Sequence, residues 1–155
     1  MRVFVTGATG FIGSAVVREL IGAGHEVVGL ARSDDAADAL RRAGAGVHHG
    51  DLDDPRSLAA GARGADGVVH LAFGHDFSRY REMGETDRRA IEAMAEAMEG
   101  TGKPLVITSV TTVVSAGRTV TEDMAARSDS PSGRSEERFS RNAETADTSR
   151  MPSSA

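Results

Sequence analysis

The sequence predicts an α/β fold, a doubly wound parallel sheet with strand order 3-2-1-4-5, over residues 1 to about 116. Short apolar runs alternate with helical patterns along the chain, and a glycine-rich turn joins the first strand to the first helix. Because crossovers between parallel strands are right-handed, this alternation leaves little choice of topology. Residues 117–155 contain no Leu, Ile, Trp or Tyr, so we expect a polar, disordered tail there.

Composition and charge narrow the class of protein. The 155 residues are enough for one domain with a buried core, and the net charge of −5 does not favour nucleic acid. The chain has no cysteine for disulfides or thiolate metal sites. No apolar run approaches the roughly 20 residues that span a bilayer, and the first strand leaves no room for a signal peptide. We therefore expect a cytoplasmic protein without metal, nucleic-acid or membrane partners.

The first strand, the glycine turn and the first helix form a predicted phosphate-binding element. The apolar residues 3–5 stop at Gly7-Ala8-Thr9-Gly10-Phe11-Ile12-Gly13, and apolar residues then recur at helical spacing. Gly7 permits a sharp turn, Gly10 permits close approach of a pyrophosphate, and Gly13 permits close packing of helix and strand. The N–H groups at the helix start favour anions. A glycine turn that serves packing alone is the alternative.

The end of the second predicted strand, residues 26–31, is where such folds select a nucleotide cofactor. An acidic residue there favours NAD through the ribose hydroxyls, whereas an arginine pairs with the 2′-phosphate of NADP. Arg32 stands at this position, and Ser33 can add a hydroxyl donor. The sequence therefore favours NADP. NAD is the alternative, because Asp34 or Asp35 could reach a ribose if Arg32 were an ordinary solvated side chain.

The remaining elements continue the alternation of strands and helices. They are a helix over 34–43, a strand over 47–50, a helix that Asp54 caps and Pro55 begins, a strand over 66–74, a helix over 76–100 with an irregular lead-in to Gly84, and a strand over 104–109. His48 and His49 lack other metal ligands at suitable spacing and are expected at the surface. His70 is expected to pack within its strand, with an acid–base role as the alternative.

These motifs resemble the extended and atypical short-chain dehydrogenase/reductases, which include NAD(P)-dependent epimerases, dehydratases and reductases. The resemblance begins with the Gly-x-x-Gly-x-x-Gly turn and continues to about Thr121-Glu122-Asp123. It implies an NAD(P)-binding Rossmann domain over residues 1–116 and a small-molecule substrate if the protein is active. The cofactor-binding residues assigned on this basis are Gly7, Thr9, Gly10, Phe11, Ile12, Gly13, Arg32, Ser33, Asp51, Leu52, Leu71 and Ala72.

Three later motifs carry roles that the resemblance implies. In the family, a pair such as Asp51-Leu52 meets the adenine edge, and the end of a His-x-Ala element such as Leu71-Ala72 lies against the ribose and nicotinamide half. Ser109 matches a strand-end residue that hydrogen-bonds the substrate beside a catalytic tyrosine. The alternatives are that Asp51 only bonds its own backbone in a turn and that Ser109 only ends its strand.

The family's catalytic Tyr-x-x-x-Lys pair is replaced in this chain. Ser132 and Glu136 stand at the two positions, and neither can supply the acid–base chemistry of that pair. We expect an NADP-dependent oxidoreductase or epimerase-like protein, with a non-catalytic NAD(P)-binding or sensor protein and an inactive fragment as alternatives. Compared with the resembling family, we expect this chain to lack the C-terminal strands and substrate lobe after about residue 123, through truncation, divergence or a frameshift near residue 120. An unpaired fifth strand would then favour homo-oligomers.

Overall fold

In the computed structural model, which describes residues 1–74 and 77–108, five strands form one parallel sheet in the order β3-β2-β1-β4-β5. The strands are β1 (Arg2–Thr6), β2 (Glu26–Ala31), β3 (Gly46–His49), β4 (Gly67–His70) and β5 (Leu105–Ile107). The helices are α1 (Phe11–Gly22), α2 (Asp34–Arg42), α3 (Pro55–Arg63) and α4 (Tyr80–Met98), and a 3-10 turn (Phe77–Arg79) precedes α4. The doubly wound Rossmann sheet and its strand order are confirmed.

Helices cover both faces of the sheet because successive strand side chains point to opposite sides. Val3 and Val5 of β1 belong to a core shared with α1 and α2. Phe4, between them, belongs to a second core shared with α3 and α4. Both faces of β1 are therefore dry, which is why its sequence is apolar without alternation.

Several elements begin at residues different from those predicted, by one residue in the case of β3, β4 and β5. Helix α4 begins at Tyr80, so the segment up to Gly84 is helical and not irregular. Gly84 is buried in that helix, and packing there outweighs its low helix propensity. Strand β5 begins after Pro104, which has no N–H for the ladder but accepts a hydrogen bond from the Val68 amide at 3.0 Å.

The start of α3 agrees with the prediction, whereas the nearby His48 does not. Asp54 caps the helix, accepting from the Arg56 amide at 3.0 Å, and Pro55 is the first helical residue. The surface interpretation of His48 is wrong, since its ring is half-buried and lies edge-on to Phe4, with centroids 5.4 Å apart. Its Nε2 donates to the Ser57 carbonyl at 2.8 Å, which fixes the ring between β3 and α3.

The described residues contain neither a helix suited to span a membrane nor a cluster of metal ligands. No helix in residues 1–74 and 77–108 combines the length and apolar character of a membrane span. Within the same ranges, no three His, Asp or Glu side chains are grouped closely enough to hold a metal ion. The polar tail predicted for residues 117–155 lies outside the described residues.

Candidate functional site

A cleft of about 660 Å³ lies at the carboxyl edge of the sheet, where open α/β folds bind ligands. Segments that follow β1, β2, β3 and β4 form its walls, together with α4. Its lining residues are Gly7, Thr9, Gly10, Leu30, Arg32, Ser33, Ala36, Gly50, Asp51, Leu52, Leu71, Ala72, Phe73, Gly74 and Met83. The sequence assigned nine of these to cofactor binding: Gly7, Thr9, Gly10, Arg32, Ser33, Asp51, Leu52, Leu71 and Ala72. Their contact with a nucleotide stays a prediction.

The glycine turn after β1 is packed too closely for side chains at two of its glycines. Gly7 has φ +66°, and a Cβ there would lie 2.7 Å from the Ala72 nitrogen. A Cβ on Gly13 would lie 2.0 Å from the Gly7 carbonyl oxygen. Gly13 therefore packs against the turn itself, and the turn packs against the segment that follows β4.

The first amides of α1 are available to a ligand. Gly10 is the N-cap, and the Ser14 amide, which donates to the Gly10 carbonyl at 2.9 Å, makes the first bond of the helix. Among the described residues, the amides of Phe11, Ile12 and Gly13 have no acceptor, and the first turn of α1 carries no acidic side chain. Unpaired amides and the helix dipole together favour an anion at this position.

Phe11, Ile12 and Gly13 do not line the cleft with side chains, although the sequence assigned them to the site. The Phe11 side chain is 97% exposed and that of Ile12 is 55% exposed. What these three residues present toward the turn is backbone. The motif therefore specifies a main-chain conformation. The cleft does not explain why the side chains of Phe11 and Ile12 are these two.

Arg32 and Ser33 follow β2 directly at the cleft. The Arg32 side chain is exposed and forms no ion pair within the described part of the chain. Ser33 is the N-cap of α2, and its Oγ accepts from the Ala36 amide at 3.3 Å, which leaves its O–H proton free to donate. Asp34 and Asp35 lie in the first turn of α2 and are not among the lining residues.

Asp51 makes the turn hydrogen bond that the sequence allowed and also lies at the cleft, while its contact with adenine stays a prediction. Its Oδ1 accepts from the Asp53 amide at 3.0 Å, so the carboxylate does bond its own backbone. Asp51 also lines the cleft, and neighbouring Leu52 adds an apolar surface. The turn bond holds the carboxylate in place and leaves acceptor capacity unused, because a carboxylate has about four lone-pair sites.

A buried chain of polar groups lies directly behind the cleft wall. Thr6, His70 and Asp87 are 0%, 1% and 0% exposed. The Thr6 Oγ1 is 2.7 Å from His70 Nδ1, and His70 Nε2 is 3.1 Å from Asp87 Oδ1. His70 thus packs within the sheet as predicted. Its burial separates it from any ligand in the cleft, so the alternative acid–base role is not supported.

Sequence patterns did not identify the α4 contribution to the site. Met83 lines the cleft beside Gly74, where a Cβ would lie 2.6 Å from the Met83 sulfur. Phe73 also lines the cleft and stacks edge-on against Tyr80, with ring centroids 6.0 Å apart. A glycine at the end of the apolar run 66–74 was the available signal, since it indicates the close approach of another segment without saying which one. Leu30 and Ala36 were predicted as strand and helix residues only.

The residues expected to act on a substrate lie outside the described ranges. Ser109, the assigned catalytic residue, follows the last described position, and Ser132 and Glu136 lie further along the chain. The described cleft therefore contains nine of the twelve predicted cofactor residues, and the predicted catalytic residue lies outside the part of the chain that the structure describes.

Comparison with known proteins identifies relatives of this chain. The profile of the NAD dependent epimerase/dehydratase family matches residues 3–136. An uncharacterized protein of Schizosaccharomyces pombe is 55% identical over 115 residues, which are 74% of this chain and 39% of that protein. The UDP-glucose 4-epimerase of Streptomyces lividans is 32% identical over 117 residues, which are 71% of this chain and 36% of the enzyme.

Solved structures give the same result at the level of fold. UDP-glucose-4-epimerase from Stenotrophomonas maltophila, with bound NAD and formylated UDP-arabinopyranose, has a TM-score of 0.71 and 26% identity. The alignment covers 97% of this chain and 50% of that chain. The UDP-glucose 4-epimerase of Thermus thermophilus in complex with NAD has a TM-score of 0.71 and 25% identity, over 96% of this chain and 51% of that chain. This chain spans about half the length of these enzymes.

The profile match extends from β1 past the last described strand. The sheet order, the glycine turn and the position of the cleft agree with it. The chain belongs to the NAD dependent epimerase/dehydratase family.

Proposed function

We propose that this chain binds NADP(H) in the cleft and forms the cofactor-binding part of an oxidoreductase or epimerase-like protein of the short-chain dehydrogenase/reductase group. The observation that carries the proposal is the pairing of two groups that favour phosphate at one cleft. Three unpaired amides stand at the start of α1, and Arg32, without an ion pair in the described ranges, lies at the end of β2. A dinucleotide with a 2′-phosphate has anionic groups for both.

Each part of the cleft then has a proposed role. The turn from Gly7 to Gly10 and the α1 amides hold the pyrophosphate, since no Cβ at these glycines keeps a ligand from the backbone. Asp51 and Leu52 contact the adenine, and the segment Leu71-Ala72 lies against the nicotinamide-side ribose. Bound nicotinamide supplies the hydride chemistry, and the protein orients it.

The preference for NADP over NAD is supported by the residues after β2. Arg32 and Ser33 line the cleft, whereas the carboxylates of Asp34 and Asp35 do not. A guanidinium matches a phosphate in geometry and charge. The two epimerase structures described above contain NAD, which keeps NAD as the competing ligand in any test.

A non-catalytic nucleotide-binding or sensor protein is the second candidate. Ser132 and Glu136 favour it, because they replace the tyrosine and lysine that active relatives use. Under the first candidate, Ser109 hydrogen-bonds a small-molecule substrate. Under the second, the same cleft binds nucleotide and no hydride is transferred.

Calorimetric titration with NADPH and NADH tests the proposal, using the wild-type chain, Arg32→Gln and Arg42→Gln. Arg42 is an exposed arginine at the end of α2 that does not line the cleft, so it is a matched control. We expect Arg32→Gln to weaken NADPH binding about 10- to 100-fold, because a hydrogen bond to a charged group contributes about 1.5–3 kcal/mol. NADH binding should stay within about twofold, as should both affinities of Arg42→Gln.

Three results separate the alternatives. Failure of the folded wild-type chain to bind either nucleotide would refute the proposed function. Equal loss of NADPH and NADH binding in Arg32→Gln would refute the NADP preference and keep nucleotide binding. Among chains that bind, a hydride-transfer assay with carbonyl and alcohol substrates distinguishes an enzyme from a sensor.

A further inference from the structure

The buried chain of polar groups, which consists of Asp87, His70 and Thr6, ends at Leu71 and Ala72. These two residues form one wall of the cleft. Thr6 Oγ1 accepts from the Leu71 amide and from the Ala72 amide, each at 3.3 Å. The same oxygen contacts His70 Nδ1, whose ring in turn contacts Asp87 on α4. One buried threonine hydroxyl thus links a helix on one side of the sheet to the backbone of the cleft wall.

The numbers of donors and acceptors among these polar groups fix which atom donates in each hydrogen bond. The Ala72 amide donates to Thr6 Oγ1, and the Leu71 amide is shared between that oxygen and the Thr6 carbonyl, each at 3.3 Å. With these donors on its lone pairs, the Thr6 hydroxyl donates its own proton to His70 Nδ1. His70 then carries its proton on Nε2 and donates it to the Asp87 carboxylate. Each hydrogen bond among these polar groups therefore has a defined direction. The amides of Ala72 and Leu71 donate to Thr6, Thr6 donates to His70, and His70 donates to Asp87.

This arrangement differs from a nucleophilic Ser-His-Asp site despite its composition. Thr6 is 0% exposed, and its oxygen is fully used by its three partners. A substrate cannot reach it. These buried polar groups act instead on the position of Leu71 and Ala72.

The position of Ala72 matters because it touches the glycine turn. The Ala72 nitrogen lies where it would be 2.7 Å from any Cβ on Gly7. A shift of the wall therefore either moves the glycine turn or changes the distance between the turn and the wall. The turn and the wall both line the cleft.

We propose that Asp87 is a positioning residue for the cleft, which acts through His70 and Thr6 to hold Leu71 and Ala72 against the glycine turn. The proposal rests on the proposed nucleotide function for its effect on affinity. Its structural part, the fixed wall, is independent of any ligand.

The test uses paired substitutions in the 155-residue chain, one that removes a hydrogen-bonding group and one that keeps it. Thr6→Val removes the hydroxyl, whereas Thr6→Ser keeps it. Asp87→Leu removes the acceptor, whereas Asp87→Asn keeps an oxygen for His70 Nε2. Met98→Ala is the control, since Met98 is a buried residue of the same helix that does not line the cleft.

Two quantities are measured at a temperature at which circular dichroism shows each variant to be folded. The first is the dissociation constant for NADPH. The second is the hydrogen-exchange rate of the Leu71 and Ala72 amides, measured by NMR without nucleotide. We expect Thr6→Val and Asp87→Leu to weaken binding roughly tenfold, about the effect of one lost hydrogen bond. Exchange should speed up most at the Ala72 amide, because the Leu71 amide also donates to the Thr6 carbonyl at 3.3 Å. Thr6→Ser and Asp87→Asn should stay within about threefold, and Met98→Ala should change only the melting temperature.

Wild-type affinity and wild-type exchange in Thr6→Val would overturn the proposal, as would a loss in Met98→Ala equal to that in Asp87→Leu. If the wild-type chain binds no nucleotide, the proposed function fails and the exchange rates still decide the positioning role. If the apolar variants do not fold, the ¹⁵N shifts of the wild-type His70 ring decide it. Protonation at Nε2 with a bare Nδ1 supports the arrangement, and protonation at Nδ1 contradicts it.

Discussion

The glycine-turn end of the cleft presents backbone, whereas the end near β2 and β3 presents side chains. At the turn, the available groups are amides of α1, held by contacts among Gly7, Gly13 and Ala72 that leave no space for a Cβ. Near β2 and β3, the available groups are the exposed Arg32 and the turn aspartate Asp51. The first end depends on packing and the second on the chemistry of individual residues.

This difference has a consequence for mutation. A substitution at the turn end changes the backbone and so should alter folding and binding together. A substitution at the side-chain end should alter binding with little effect on folding. The following predictions test that separation, beginning with the largest expected effect.

Gly13→Ala should cost about 3 kcal/mol of unfolding free energy and abolish nucleotide binding, because overpacking against rigid backbone cannot relax. The added Cβ would lie 2.0 Å from the Gly7 oxygen. Gly22→Ala in the same helix is the control. Gly22 has no atom within 4 Å of its added Cβ, and alanine there should stabilise the chain by about 0.5–1 kcal/mol. Urea unfolding measures both, and equal stability of the two variants would contradict the packing argument.

Asp51→Asn should weaken the binding of NADPH and of NADH about equally, by roughly fivefold. The substitution weakens one hydrogen bond to the adenine, which both nucleotides share. Asparagine preserves the turn bond to the Asp53 amide, so the unfolding free energy should change little. Asp54→Asn is the matched control, since Asp54 caps α3 and does not line the cleft. Calorimetry decides the outcome. A selective loss of one nucleotide would assign Asp51 to the 2′ position and not to the adenine.

Ser33→Ala and Asp54→Ala compare two helix N-caps, one inside the cleft and one outside it. Ser33 accepts from the Ala36 amide at 3.3 Å, and Asp54 accepts from the Arg56 amide at 3.0 Å. Each variant should lose about 1 kcal/mol of stability in thermal unfolding. Only Ser33→Ala should also weaken NADPH binding, by about threefold, through the lost hydroxyl donor. Equal NADPH affinities in the two variants would leave Ser33 with a capping role alone.

The sequence predicted the fold and the turn end of the cleft because both depend on local patterns. Glycine spacing specifies the turn after β1, and alternation of apolar runs with helices specifies the sheet order. Residues that come together from distant segments were not found. Met83 and Gly74 are an example, since neither residue's own neighbours in sequence indicate that the other is close.

Asp87 shows a signal that was present and was overlooked. It lies in a run of polar residues, Thr86-Asp87-Arg88-Arg89, which suggests a solvated surface. Yet Asp87, Ile91, Met94 and Met98 recur at helical spacing, and all four are buried. An apolar stripe at this spacing, read from residues 91 to 98, could therefore have been extended one turn back to include a carboxylate. Which group it would pair with could not be read from the pattern, because His70 belongs to a different element.

The contact between Phe73 and Tyr80 provides a probe that needs no label. Tyr80 is the chain's single tyrosine, and the chain has no tryptophan, so its tyrosine emission comes from one position. Phe73, which packs edge-on against that ring, is itself part of the cleft lining. A ligand that moves Phe73 changes the surroundings of that single fluorophore. Tyrosine fluorescence of the unmodified chain should therefore follow occupancy of the cleft.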